Sequence, residues 1–257
     1  MKRILGLLLA LAGCLTAIPA HAQERTTVKF NDPSRPGLLK IDWHNGSIIV
    51  KTHNSSDVTI EAARNFNRRP APPEAGGLRR IDTAGNITVD SDSNNVMTIS
   101  SHNGLSSGNL EIEVPVKTNL NLQSHNGAII SVDGVDGNIE VTNHNGTVNI
   151  LNAAGSVVAY SHNGKVTVSL RDVSPGKPMS FSSMNGSVDV TLPPTSKANV
   201  KLRTQNGGIY TDFDVQMNPA STIAGQGDKT ITGTINGGGA DFDLRTQNGN
   251  IYLRKEK

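Results

Sequence analysis

The 257-residue sequence contains one cysteine, Cys14, and aromatic residues make up only 4% of it. A chain with a single cysteine forms no internal disulfide, and it offers neither a cysteine metal cluster nor a thiol pair. Scarce aromatics argue against the thick, aromatic-rich core of a globular α/β enzyme. They suit thin repeated β-coils filled by Val, Ile and Leu. Charge of one sign is also lacking. Removal of Lys2 and Arg3 with a leader takes the 24 basic residues to 22, equal to the 22 acidic ones. A neutral body has no electrostatic footprint for nucleic acid, so no nucleic-acid partner is expected.

Long apolar runs are absent after the first residues, so no transmembrane segment is expected. The beginning itself reads as a targeting signal. Met1-Lys2-Arg3 is basic, Ile4 to Leu11 is apolar, and Pro19-Ala20-His21-Ala22 ends in an A-x-A cleavage pattern. This order predicts a signal peptide over residues 1–22, cleavage after Ala22 and an exported body of about 235 residues. A second reading stays open. Leu11-Ala12-Gly13-Cys14 resembles a lipoprotein box in which Cys14 carries the anchor, although the apolar core before it is short and Leu15 is an unusual follower. Either way the chain is expected in the periplasm, outer envelope or extracellular space.

What is present is a repeat. WHNGSIIV at 43–50, SHNGLSSGNLEIEV at 101–114, SHNGAIISV at 124–132, NHNGTVNI at 143–150, SHNGKVTV at 161–168, SMNGSVDV at 183–190, TQNGGIYTD at 204–212 and TQNGNIYL at 246–253 share one pattern. From Asn103 the Asn-Gly pairs are spaced by 23, 19, 18, 22 and 21 residues, then by 42, or two periods. Each period holds two alternating apolar stretches. Ile139 and Val141 before the turn and Val148 and Ile150 after it share one side, as half-buried strands require. Val157, Ala159, Val166 and Val168 repeat the arrangement. Asn-Gly also begins β-hairpins, but the fixed period favours stacked coils in which each copy lies on the last.

The fold class predicted is therefore all-β, one β-solenoid domain over residues 23–257 with roughly eight to ten coils. Residues 26–60 read as one or two opening coils. An irregular loop is expected at 67–77, where Pro70, Pro72 and Pro73 forbid a central strand. A second irregular stretch is expected over 214–240. Lys255-Glu256-Lys257 would guard a terminal strand edge. Open edges at the two ends also make edge-to-edge self-association a live idea.

The repeated phrase resembles bacterial envelope proteins of the putative-adhesin family with β-strand repeats, a domain family of undefined function. The resemblance runs over about residues 35–255, carried by the NG-x-[IV]-x-[VI] copies. It implies a solenoid at the cell envelope and supplies no catalytic residues to transfer.

Candidate chemistry is thin. The turn column Asn103-Gly104, Asn126-Gly127, Asn145-Gly146, Asn163-Gly164, Asn185-Gly186 and Asn206-Gly207 reads as structural, with Asn bonding the backbone of the next rung and Gly permitting positive φ. His44, His102, His125, His144 and His162 each precede Asn-Gly. In-register stacking would make His125, His144 and His162 a ladder, a candidate site for Zn²⁺, Cu²⁺ or Ni²⁺. Packing at the turn is the plainer reading, since Met184, Gln205 and Gln247 take the same position. Asp90-Ser91-Asp92-Ser93-Asn94 begins like a Ca²⁺ loop, yet Asn95 stands where Gly is needed and Ser101 where Glu is needed. Asp212/Asp214 and Asp241/Asp243 alternate as if each pair shared one strand face. Such pairs serve as acid and base in carbohydrate-active β-helices, but no basic or aromatic sugar-stacking cluster accompanies them, and solvated strand faces are the better reading. Gly237-Gly238-Gly239 lacks the context of a phosphate loop, and no G-x-S-x-G elbow occurs.

The expectation is thus an exported, non-catalytic interaction or adhesin-like scaffold without cofactor, facing an envelope or extracellular partner, protein or polysaccharide. A carbohydrate-active enzyme and a metal-binding His-ladder protein are the alternatives.

Overall fold

The computed structural model describes residues 24–64, 87–101, 108–127, 129–173, 176–219 and 229–257. The leader with Cys14, the loop at 67–77, and His102, Asn103 and Gly104 lie outside these residues.

The described chain is all-β, without helices. It begins with β1 (Glu24–Lys29), β2 (Leu38–Asn45), β3 (Ile48–His53) and β4 (Asp57–Arg64). Then come β5 (Ile87–Ser91), β6 (Val96–Ser101), β7 (Gly108–Pro115), β8 (Asn119–Asn126) and β9 (Ile129–Asp133). The middle holds β10 (Ile139–Asn145), β11 (Thr147–Ala153), β12 (Val157–Asn163), β13 (Val166–Leu170), β14 (Met179–Ser183) and β15 (Val188–Leu192). The last part contributes β16 (Ala198–Asn206), β17 (Ile209–Thr211), β18 (Val215–Met217), β19 (Lys229–Ile235), β20 (Ala240–Asn248) and β21 (Ile251–Lys255).

These strands form a flattened solenoid of two sheets. Each coil gives one strand to a first sheet, turns at Asn-Gly, and gives the next to a second sheet. Thus β10 pairs in parallel with β8 and β12, while β11 pairs in parallel with β9 and β13. Parallel pairing follows from the coil, because every rung runs the same way round. Inward positions are apolar at period two. Ile139, Val141, Val148 and Ile150 are all buried, and so are Val157, Ala159, Val166 and Val168. Each of these Val and Ile side chains contributes about 1.5–3 kcal/mol by leaving water. Phe181 and Phe242, with ring centroids 6.3 Å apart, are buried in that core.

The stacking order departs from the expected succession at both ends. The first sheet runs β18-β19-β16-β20-β14-β12-β10-β8-β2-β6-β5, and the second β1-β4-β7-β3-β9-β11-β13-β15-β21-β17. The coil of β20 and β21 therefore slots between those of β14/β15 and β16/β17. At the other end the β2/β3 coil slots between β6/β7 and β8/β9. The reason is connectivity. The excursions 54–95 and 212–239 are long enough to carry the chain past one rung and back.

Both excursions add antiparallel strands. β4 pairs β7 and β1 pairs β4; β5 pairs β6; β19 pairs β16 and β18 pairs β19. The stretch 26–60 is hence one coil plus two capping strands, and 214–240 contains a seven-residue strand, β19. The expected guard role of Lys255-Glu256-Lys257 is overturned, because β21 is flanked by β15 and β17. The outer strands β17 and β18 are three residues each, too short to be good templates for a further strand.

The corners explain the repeated phrase. A Cβ on Gly164 would sit 2.1 Å from Gly146 O, and one on Gly186 would sit 2.2 Å from Gly164 O. Backbone approach between rungs, more than backbone angle, demands glycine here. Only Gly46 and Gly146 among the described turn glycines of the column adopt positive φ. The residue three before that glycine supplies a buried donor. Ser161 Oγ donates to Gly146 O, Ser183 Oγ to Gly164 O, Thr246 Oγ1 to Gly186 O and Thr204 Oγ1 to Gly249 O, at 2.7–2.9 Å. Trp43 occupies this place in its own rung and donates from Nε1 to Gly108 O at 3.1 Å.

Candidate functional site

The turn asparagines link side chain to side chain. Asn145 Nδ2 donates to Asn126 Oδ1 at 3.2 Å, Asn163 to Asn145 at 2.8 Å and Asn185 to Asn163 at 2.8 Å. Asn248 then donates to Asn185, and Asn206 to Asn248, each at 2.8 Å. Asn185 and Asn206, adjacent in the repeat as spelled by the sequence, are thus separated by the Asn248 rung. Backbone bonding is the minor part, seen where Asn145 Nδ2 also reaches His125 O at 3.4 Å.

The histidines lie on the outer face of the first sheet beside this column, since Trp43, Ser124, Asn143 and Ser161 next to them point inward. They form two pairs. His144 and His162 stack at 4.8 Å between centroids with 6° between planes, and Tyr160 OH lies 3.1 Å from His162 Nδ1. His44 and His125 face each other at 4.6 Å with 34° between planes. Within the expected triplet His125, His144 and His162, ring contact joins His144 to His162, while His125 of β8 faces His44 of the adjoining β2.

Asp42 joins that second pair. It precedes His44 by two residues on β2 and so shares its face. Its Oδ1 lies 3.7 Å from His125 Nε2. The ligand atoms of Asp42, His44 and His125 all fall within 4.8 Å of one another, the one such group of three or more among the described residues. Sequence reading singled out both histidines but passed over Asp42, whose signal is the Asp-x-His alternation on a strand.

The other acidic candidates do not converge. Asp92 Oδ1 accepts from the backbone N–H groups of Asn94 and Val96 at 2.9 and 3.0 Å, capping the β5–β6 hairpin. Asn95 in that turn has φ of 65° and ties the hairpin to Asp32 and Arg35 through its side chain. Asp212 and Asp214 lie in a bend after β17 and not on a strand, and Asp212 Oδ1 accepts from Lys255 N at 2.7 Å. Asp241 accepts from Asn199 Nδ2 at 2.9 Å, and Asp243 lies 3.5 Å from Arg245. Gly237 and Gly238, both at φ of 84°, form the turn into β20.

A second cluster had no counterpart in the sequence reading. On the outer face of the second sheet, Tyr210 of β17 stacks on Tyr252 of β21 at 5.3 Å, and the Arg254 guanidinium lies 4.8 Å from the Tyr252 ring centroid. Arg254 Nε and Lys165 Nζ each reach Asp189 at 2.8 Å. Burial disfavours the charged form of Asp189, but hydrogen bonds from Arg254 and Lys165 outweigh it and hold the carboxyl below its usual range. The same contact raises the Arg254 guanidinium. Tyr210 is 55% exposed. An aromatic pair with a fixed cation is a chemistry used for packing against sugars or flat protein side chains.

No helix among the described residues is long and apolar enough to cross a membrane. Comparison with solved structures finds the crystal structure of a putative cell adhesion protein from Clostridium sporogenes. It has a TM-score of 0.52 at 11% identity, covering 91% of this chain and all of that one. Putative adhesins from Bacteroides fragilis (12% identity, 93% and 99% covered, TM-score 0.26) and Parabacteroides merdae (8%, 92% and 98%, 0.27) are also similar. Among curated proteins none matches. The family model described as Toastrack DUF4097 matches residues 40–254, which takes in the strands from β2 to β21 and all eight copies of the Asn-Gly phrase. The chain belongs to the Toastrack DUF4097 family.

Proposed function

We infer that this protein is an exported cell-envelope or surface scaffold that binds a partner without catalysis, in the manner of an adhesin. The observation that carries the reading is the outward Tyr210–Tyr252 stack with Arg254 beside it. The sequence has only three tyrosines, and two of them are on one outer sheet face. Tyrosine and arginine are the side chains that most often anchor an interface, because a rigid aromatic plane gives contact area at small entropic cost. Membership of the Toastrack family and the fold shared with a putative cell adhesion protein of Clostridium sporogenes support the same reading. The basic-apolar-small order of residues 1–22 supports export. The partner is an envelope or extracellular protein or polysaccharide.

The test compares the parent with a Tyr210→Ala/Tyr252→Ala variant. Both are applied to a glycan array, to purified peptidoglycan and to intact envelope fractions. Binding that falls at least tenfold in the variant, with an unchanged far-ultraviolet spectrum, supports the reading. Equal binding by both proteins removes the tyrosine face from it. Hydrolysis of any arrayed glycan would overturn the non-catalytic assignment.

A further inference from the structure

We propose that Asp42, His44 and His125 form a binding site for one divalent transition-metal ion of the Zn²⁺, Cu²⁺ or Ni²⁺ class. The donors are two imidazoles and one carboxylate, a mixed nitrogen and oxygen set that these ions favour and that Ca²⁺ and Mg²⁺ do not. The three ligand atoms lie within 4.8 Å of one another, with His125 Nε2 and Asp42 Oδ1 at 3.7 Å. Bonds of about 2.0–2.1 Å to a common ion require donor separations of about 3.3 Å. Small side-chain rotations at the sheet surface close that difference.

The backbone beneath the site is fixed. Asp42 and His44 flank Trp43, which is buried and hydrogen-bonded through Nε1 to Gly108 O. His125 follows the buried Ser124, which stands opposite Trp43 in the parallel β2–β8 register. Both strands are interior to their sheet, so the Cα positions of the three donors are set by ladders on each side. Such support is what separates a preorganised ligand set from a chance surface cluster.

The donors are also uncommitted. Among the described residues, neither His44 nor His125 spends a ring nitrogen on a hydrogen bond, and His125 Nε2 faces Asp42 Oδ1 at 3.7 Å. The second imidazole pair differs on both counts. His144 and His162 stack face to face, and His162 Nδ1 is engaged by Tyr160 OH. No carboxylate joins them in a group of three among the described residues. The repeated position thus carries two chemistries, a stacked pair and a ligand pair, and the carboxylate marks the ligand pair. Three protein donors leave the remaining coordination positions of the ion to solvent water, since Asp42 and His44 are exposed.

The experiment is titration calorimetry of the purified, tag-free protein with ZnCl₂, CuCl₂ and NiCl₂, alongside thermal unfolding with and without each ion. The variants are Asp42→Asn, His44→Gln and His125→Gln, with His144→Gln/His162→Gln as the control. Glutamine holds this same position at Gln205 and Gln247, so these changes keep the coil. The expected result is one ion per chain for the parent, with a raised melting temperature. Affinity falls at least tenfold in each of the first three variants and stays within twofold in the control. In the Cu²⁺ protein, electron spin resonance shows coupling to two imidazole nitrogens. No heat and no melting shift with any of the three ions overturns the proposal. So does parent-like affinity in His125→Gln or His44→Gln, or loss of binding in the control alone.

Discussion

Asn248 donates its side-chain amide to Asn185 Oδ1 at 2.8 Å across 63 residues of sequence, while Asn206, much nearer in the chain, bonds only through Asn248. The coil of β20 and β21 is therefore an inner rung. β20 lies between β14 and β16, and β21 between β15 and β17.

A chain ending at Gly239 consequently loses more than its final two strands. β16 and β17 lose the rung on which they dock, and Phe181 loses Phe242. Hydrogen exchange should show the amides of residues 198–211 protected in the full chain and exposed in the truncated one. Residues 139–170 should stay protected in both. Protection of 198–211 in the truncated chain would show that β16 and β17 do not depend on the β20–β21 rung, β19 remaining as a partner of β16.

Gly186→Ala is expected to lower stability by about 1–3 kcal/mol, because the new methyl group meets the Gly164 carbonyl and the rungs must separate. Urea unfolding measures this directly. A neutral result would show that neighbouring rungs slide apart at no cost.

Ser183→Ala removes a buried donor from Gly164 O and should cost about 1 kcal/mol. Ser183→Thr should stay close to the parent, since Thr204 and Thr246 fill the same place in their own rungs. If both substitutions behave alike, the hydroxyl column carries no weight.

The Asp189 carboxyl is held below its usual range by Arg254 and Lys165 against the cost of burial. Its folded value lies under the unfolded value of about 4. The stabilisation it gives is present above that unfolded value and is lost as pH falls through the lower folded one. Asp189→Asn should cost about 1–2 kcal/mol at pH 7. The gap between variant and parent should narrow toward zero in strong acid. Urea melts from neutral to acid pH report it, and a gap independent of pH would exclude the ion pairs as its source.

The alternation of Ile139, Val141, Val148 and Ile150 and the recurring Asn-Gly made the two-sheet coil legible in the sequence, because both signals are local and depend on strand geometry alone. The order of rungs was not legible. Nearly identical phrases present nearly identical docking surfaces, so Asn248 can sit on Asn185 as well as Asn206 can. The connections from β3 to β6 and from β17 to β20 are long enough to permit either order. The same degeneracy hid the Asp42 site. That Asp42 and His44 share a face follows from their spacing, but His125 becomes their neighbour only because β2 and β8 adjoin, with β6 on the far side of β2. The Tyr210–Tyr252 stack, by contrast, owes nothing to the interchange, since Tyr210 and Tyr252 hold the same place in consecutive copies of the phrase and β17 adjoins β21. Ser161 and Ser183 carry no signal in the sequence, because their donor role depends on a carbonyl one rung away.

The interchange of coils at each end also constrains how such a molecule changes length. A simply stacked solenoid can gain or shed a unit at its tip, as a column of coins does. Here each end is spliced like a rope, with a strand tucked under its neighbour, so a terminal duplication would have to undo the tuck. A unit copied from the middle, between Gly137 and Gly155, meets parallel rungs above and below and leaves both splices intact. Growth in this architecture runs from the centre outward.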